Sequence, residues 1–270
     1  MVAVQAVLGL VEPQSSGIGG GAFLVWFDAT TRKLTTLDGR EKAPLAATPR
    51  LFQKANGERL KFWDAVVGGR SVGVPGTPAL MEAAHKRWGQ KAWNDLFLEA
   101  IDLAESGFSV SPRLAALVAG DADRLRQFSD TEAYFFQGGK PLVEGSRLTN
   151  LEYADVMRRM ADEGARVIYS GDIARAIVDT VRGAKSNPGV ITLTDLDIFE
   201  VRERPAICVP FRGHQVCGMG PPSSGALTVG QILGLLDQFP VGPRGNPHTM
   251  RLVGDASRLA FADRGRYMAD

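Results

Sequence analysis

The segment Ser15-Ser16-Gly17-Ile18-Gly19-Gly20-Gly21 runs straight into Ala22-Phe23-Leu24-Val25-Trp26-Phe27, so a glycine-rich loop feeds a β-rich stretch instead of a helix. Glycine reaches positive φ without a Cβ clash, which lets such a loop bring backbone close to a neighbouring strand or a ligand. A phosphate cradle would need the glycines to open a helix N-terminus, and neither Gly-x-Gly-x-x-Gly nor a closing Gly-Lys-Ser/Thr is present. A tight structural turn is therefore the expected role. Residues 33–37 read as a second strand, and the two strands as a hairpin. Asp38-Gly39-Arg40-Glu41 is the turn that follows, with Pro44 and Pro49 marking the next loop.

From Pro78 the periodicity changes. Trp93, Leu96, Phe97, Ala100, Ile101 and Ala104 recur at helical spacing and Gly107 follows as a stop. Ser111-Pro112 offers an N-cap and first-turn pair for the next helix. Two more helices are predicted, one carrying Tyr153, Val156, Met157 and Met160 up to Gly164, the other Ile173, Ala176, Ile177 and Val181 up to Gly183. Residues 128–147 are polar and read as irregular. Residues 184–189 are turn-rich and are the expected boundary if the domain, taken as one unit over 1–270, has a subdivision. Beyond them, Thr194 and Asp197 resemble a capping box. A helix bearing Val229, Ile232, Leu233 and Leu236 and a last one from about His248 complete the chain. Strands early and late with helices between them imply an α/β layered domain.

Cys208 and Cys217 are the only cysteines. A two-residue turn at Arg212-Gly213 would set them opposite each other at a non-hydrogen-bonded position of a hairpin. Pro210 would fall in another such pair, where its missing N–H does no harm. A disulfide in an oxidising compartment and two free thiols both fit, and the thiols are the simpler expectation. The three histidines, His85, His214 and His248, form no ligand cluster with these thiols, so no metal site is expected. Basic and acidic residues number 31 and 30 without long single-sign runs, which excludes a field that would gather nucleic acid or an anionic membrane. The apolar run 2–11 lacks a preceding Lys or Arg and a small-residue cleavage site, and reads as a buried helix, not a signal peptide. No segment is long and apolar enough for a membrane span.

Three groups are candidates for chemistry. Arg40, at a strand end, suits a two-pronged grip on a carboxylate, although from the residues alone an ion pair with Asp38 or Glu41 in a solvated turn is the simpler expectation. Ser223 and Ser224 in Pro221-Pro222-Ser223-Ser224-Gly225 read as caps of the following helix. A serine nucleophile would need a base, and although His214 is the nearest histidine in sequence, nothing in the spacing supports a triad with these serines.

In order along the chain, VEPQSSGIGGGAF, LDGREKAP, VGVPGTPALMEAAHKRWG, AIDLAESGFSVSPRLA, PPSSGALTVGQIL and FADRGRYMAD resemble successive blocks of the γ-glutamyltranspeptidase (glutathione hydrolase) large subunit. The likeness covers nearly the whole chain and is weakest over 121–148. It implies an Ntn-hydrolase αββα sandwich, with no cofactor. In that family a precursor cuts itself to expose an N-terminal threonine on a small subunit. That threonine attacks the γ-glutamyl amide, with its own amino group as base, and the acyl group passes to water or an amino acid. Arg40 matches the arginine that binds the donor's α-carboxylate, which displaces the ion-pair reading. The Ser-Gly loop is implied to be architecture beside the cleft. Lys42 and Ala226 depart mildly from the family pattern.

The resemblance further implies that the chain is clipped at both ends and that the nucleophile lies beyond Asp270, so no catalytic residue and no activity are assigned to this chain alone. Its implied partners are a small subunit and γ-glutamyl substrates such as glutathione, in a periplasmic or extracellular setting. Two alternatives stand beside that expectation. One is a remnant without chemistry, the other a related Ntn amidase such as a cephalosporin or glutaryl acylase.

Overall fold

Helix ends follow their local signals. In a computed structural model that describes residues 1–243 and 245–268, Ser111 Oγ accepts the Leu114 N–H at 3.1 Å and Pro112 opens the helix Pro112–Gly120. The helix Leu98–Ser106 stops at Gly107, whose φ of 86° is a left-handed value that a side chain resists. The chain separates into two compact units, Met1–Gly21 with Glu41–Glu200, and Ala22–Arg40 with Val201–Asp270.

The first unit is largely helical. Val2, Ala6 and Leu10 recur every four residues and form the buried face of the helix Val2–Val11. Phe97, Met157, Met160, Ile191 and Leu196 centre one apolar cluster, and Leu10, Phe108, Val110 and Leu114 a second. The helices Leu151–Glu163 and Gly171–Arg182 lie where the periodicity sets them. The Ser-Gly loop belongs to this unit as architecture: the Gly20 carbonyl accepts the Gly76 N–H at 2.8 Å, the Thr77 N–H at 3.1 Å and the Thr77 hydroxyl at 3.1 Å.

Three expectations are corrected here. Residues 128–147 are not irregular, for they hold the helix Ser129–Phe135 and the short paired strands Phe136–Gln137 and Lys140–Pro141. Tyr134 and Phe135 pack on the second cluster and so order a sequence that shows no apolar period of its own. The capping box is Thr192 with Asp195, two residues before the expected pair. Thr-x-x-Asp occurs twice in succession, and the earlier copy buries Leu196 while Asp195 Oδ1 accepts the Leu45 N–H at 2.7 Å. Burial pushes the Asp195 carboxyl upward, but bonds from Leu45 and Thr192 outweigh it and hold the group below the usual range. Residues 184–189 lie inside the first unit. There Asn187 Nδ2 donates to the Val67 carbonyl at 2.8 Å, and a Cβ on Gly69 would meet the Val181 carbonyl oxygen at 2.0 Å.

The second unit has a three-stranded antiparallel sheet in which Lys33–Gly39 lies between Ala22–Asp28 and Arg202–Arg204. Asp38 and Gly39, read from sequence as turn, are the end of the middle strand, since Asp38 pairs with Phe23 on one side and Arg202 on the other. Ile207–Phe211 and His214–Gly218 form the expected hairpin, with Arg212 at φ 48° and Gly213 at φ 79° in its two-residue turn. Cys208 faces Cys217 with a Cα separation of 4.0 Å, and the two are joined as a disulfide. The expectation of two free thiols is thus overturned, because the register puts both sulfurs on one side of a non-hydrogen-bonded pair, where the strands approach most closely. The helix Gly225–Leu236 lies so close to this hairpin that a Cβ on Gly230 would stand 2.8 Å from Val209 Cγ1. Gln231 on that helix is hydrogen-bonded to Asp263 on the helix Pro247–Tyr267.

Candidate substrate-binding site

The middle strand of the second unit ends by delivering Arg40. Asp38 Oδ1 accepts the Arg40 backbone N–H at 3.0 Å, which turns the chain back on itself just past the strand. The other oxygen, Oδ2, accepts Arg204 Nε at 2.6 Å. From that root the Arg40 side chain extends to the Pro222 carbonyl, to which Nη1 donates at 3.1 Å.

Pro222 belongs to the turn that precedes the helix Gly225–Leu236. Ser224 occupies the N-cap position but its hydroxyl caps nothing, so the expected cap role does not hold for it. Ser224 Oγ instead accepts Arg264 Nε at 2.8 Å. Ser223 Oγ accepts the Gly225 N–H at 3.1 Å and thereby closes the turn. Phe23, Arg40, Pro222, Ser223, Ser224, Arg264 and Tyr267 are among the residues that line one cavity of about 590 Å³. Two guanidinium groups and three hydroxyl-bearing side chains on a small concave surface suit an anion with further hydrogen-bonding groups.

Three separated sequence blocks therefore meet here, LDGREKAP, PPSSGALTVGQIL and FADRGRYMAD. Arg264 and Tyr267 were not singled out as site residues by sequence reasoning, and only the presence of their block in the ordered series marked them. His214 lies at the exposed tip of the hairpin opposite Phe211 and does not line the cavity. Among the described residues no group of three or more His, Cys, Asp or Glu side chains is placed to hold a metal ion. No helix among them is long and apolar enough to cross a membrane.

Comparison with known proteins gives a family model, Gamma-glutamyltranspeptidase, matching residues 1–270. The chain belongs to this family. Among γ-glutamyltranspeptidases of known structure, the Helicobacter pylori enzyme superposes with a TM-score of 0.94 at 33% identity, over 100% of this chain and 76% of that one. The transpeptidase CapD of Bacillus anthracis does so with a TM-score of 0.77 at 29% identity, over 98% of this chain and 82% of the other. The mixed α/β fold is thus that of the γ-glutamyltranspeptidase group, within the Ntn-hydrolase class expected from sequence.

Among curated relatives, the glutathione hydrolase proenzyme of Bacillus subtilis (strain 168) is 33% identical over 271 residues. An acylase ACY 1 proenzyme of Pseudomonas sp. (strain SE83) is 32% identical over 276. The chain is covered in full in both comparisons but spans only 46% and 49% of those relatives, less than half of either. It corresponds to the large-subunit part of the γ-glutamyltranspeptidase precursor.

Proposed function

We propose that this chain supplies the large-subunit part of a γ-glutamyltransferase or glutathione hydrolase, and that Arg40 binds the α-carboxylate of the γ-glutamyl donor. The observation that carries this reading is the Arg40 guanidinium, lining a cavity and braced on the Pro222 carbonyl. A planar fork of five donors matches a carboxylate in a way a lysine cannot, and bidentate pairing fixes orientation as well as affinity. With the α-carboxylate held, the γ-amide of the donor projects away from Arg40 toward a nucleophile on a complementary small-subunit segment. Following the family pattern, that nucleophile is an N-terminal threonine which forms an acyl-enzyme with the γ-glutamyl group and passes it to water or to an amino acid. This chain's contribution is orientation, which converts the encounter into a near-unimolecular step. The Cys208–Cys217 disulfide supports an oxidising, periplasmic or extracellular setting.

The acylase relative favours a second reading, a related Ntn amidase, for which glutaryl amides are the class to test. A glutaryl group keeps the carboxylate that Arg40 would hold but lacks the α-amino group. One experiment separates them. The chain is co-expressed with the small-subunit segment of the Bacillus subtilis relative, and release of 4-nitroaniline is followed from γ-glutamyl and glutaryl anilides. The γ-glutamyl anilide is expected to be preferred, and Arg40→Met to raise its KM by about tenfold or more, the scale of a lost charge-assisted pair. A preference for the glutaryl amide would establish the amidase. Activity with an Arg40→Met KM equal to that of wild type would overturn the role given to Arg40.

A further inference from the structure

Asp38 is a carboxylate buried to 6% exposure at the end of a strand, a position where an unpaired charge would be costly. Both of its oxygens are engaged, one by Arg204 Nε at 2.6 Å and the other by the Arg40 backbone N–H at 3.0 Å. We propose that Asp38, fixed by Arg204, is a positioning residue that aims the Arg40 guanidinium into the cavity. The proposal rests on the reading of Arg40 as the donor's carboxylate anchor.

The sheet register explains how one carboxylate serves two partners. Arg204 pairs with Thr36, and the Thr36 hydroxyl donates to the Arg204 carbonyl, so the outer strand is tied at that residue by side chain as well as by ladder. Asp38, two residues on, points to the same face as Thr36, and Arg204 reaches it along the diagonal. Arg204 thereby sets the plane of the carboxylate, and the second oxygen is left in position for the N–H of Arg40. That bond fixes where the Arg40 Cα leaves the sheet. The Pro222 carbonyl fixes where its side chain arrives, 182 residues away in sequence. Removing the carboxylate frees the root of Arg40 and lets the tip leave Pro222, without touching any atom that would contact a ligand.

The test compares Asp38→Asn, Arg204→Gln and Arg204→Lys with wild type in the co-expressed assembly, using L-γ-glutamyl-4-nitroanilide, and compares crystal structures of the wild-type and Arg204→Gln chains. Asp38→Asn and Arg204→Gln are each expected to raise KM by about tenfold with kcat within about twofold, one charge-assisted hydrogen bond's worth of ground-state orientation. Arg204→Lys, which returns a cation to Asp38, is expected to recover most of the loss, and the Asp38→Asn/Arg204→Gln double variant to be no worse than either single one. In the Arg204→Gln crystal the Arg40 side chain is expected off the Pro222 carbonyl. Should Asp38→Asn fail to fold, Arg204→Gln decides alone, because that side chain is 40% exposed.

Arg40 remaining on Pro222 in the Arg204→Gln crystal overturns the proposal, and so does a KM unchanged by Arg204→Gln while Arg40→Met raises it. If Arg40→Met itself leaves KM unchanged, the carboxylate-anchor reading fails instead, and the crystal comparison still decides whether Asp38 and Arg204 aim the side chain.

Discussion

Tyr153 closes over Gly9. Its hydroxyl, carried on the helix Leu151–Glu163, donates to the Ala6 carbonyl at 2.7 Å, and a Cβ built on Gly9 would stand 2.6 Å from that same oxygen. Alanine is the better helix former by up to about 1 kcal/mol, so the glycine is there for the close approach and not for the helix. Gly9→Ala is expected to lower stability by about 1–2 kcal/mol, since the methyl evicts the hydroxyl and breaks a largely buried hydrogen bond. Tyr153→Phe in the same chain removes the clashing oxygen and is expected to recover part of that loss. Urea unfolding of the single and double variants measures both effects. A Gly9→Ala chain more stable than wild type would show that the contact yields freely.

Alkaline pH should loosen the first unit through its tyrosines. Burial, reinforced by the neighbouring Tyr134, pushes the Tyr153 hydroxyl up to about 12. Burial also raises Tyr134 and Tyr169, in each case with a partner that offsets part of the effect. The unfolded chain titrates near the ordinary phenol value of about 10. These groups therefore contribute stability that is fully present below pH of about 10 and is lost as pH rises through the raised native values. The urea midpoint is expected to fall from that pH upward, and tyrosinate absorbance of the native chain to lag that of the denatured one. Superimposable native and denatured titration curves would remove the basis for this expectation.

The disulfide should stabilise the second unit despite its short span. Cys208 and Cys217 are nine residues apart, and closing a loop of that size restricts the unfolded chain by about 2–3 kcal/mol. The Cys208→Ser/Cys217→Ser double variant is expected to lose stability on that scale, seen as a lower midpoint in calorimetry. Thiol titration of the denatured, unreduced chain should find none, and after reduction two. Two thiols without reductant would mean the bridge does not form in solution.

Local signals made much of the first unit legible. Ser111-Pro112, Gly107 and the spacing of Met157 and Met160 fix helix ends and faces from a handful of neighbouring residues. The hairpin register was legible for the same reason, since Arg212-Gly213 admits one short turn and sets the two cysteines opposite each other, although their joining as a disulfide was not the expectation. What failed had its cause outside the local window. The helix Ser129–Phe135 is ordered by aromatic packing on a remote cluster. The capping box was misplaced because two copies of the same spacing overlap, and the bond that Asp195 accepts from Leu45 lies far outside either of them. The role proposed for Arg40 was suggested by the resemblance, and the geometry around it was not legible. No property of Arg40 in isolation announces Pro222, and none of Asp38 announces Arg204, 166 residues further along.

A long arginine ordinarily arrives at its ligand as a flexible arm, and stilling it costs about 2 kcal/mol of rotamer entropy. Arg40 is moored at its root by Asp38 and at its tip by Pro222, so it stands as a strut. The immobilisation has already taken place when the chain folds, and under the role proposed for Arg40 an anion entering the cavity would meet a receptor that has little freedom left to surrender.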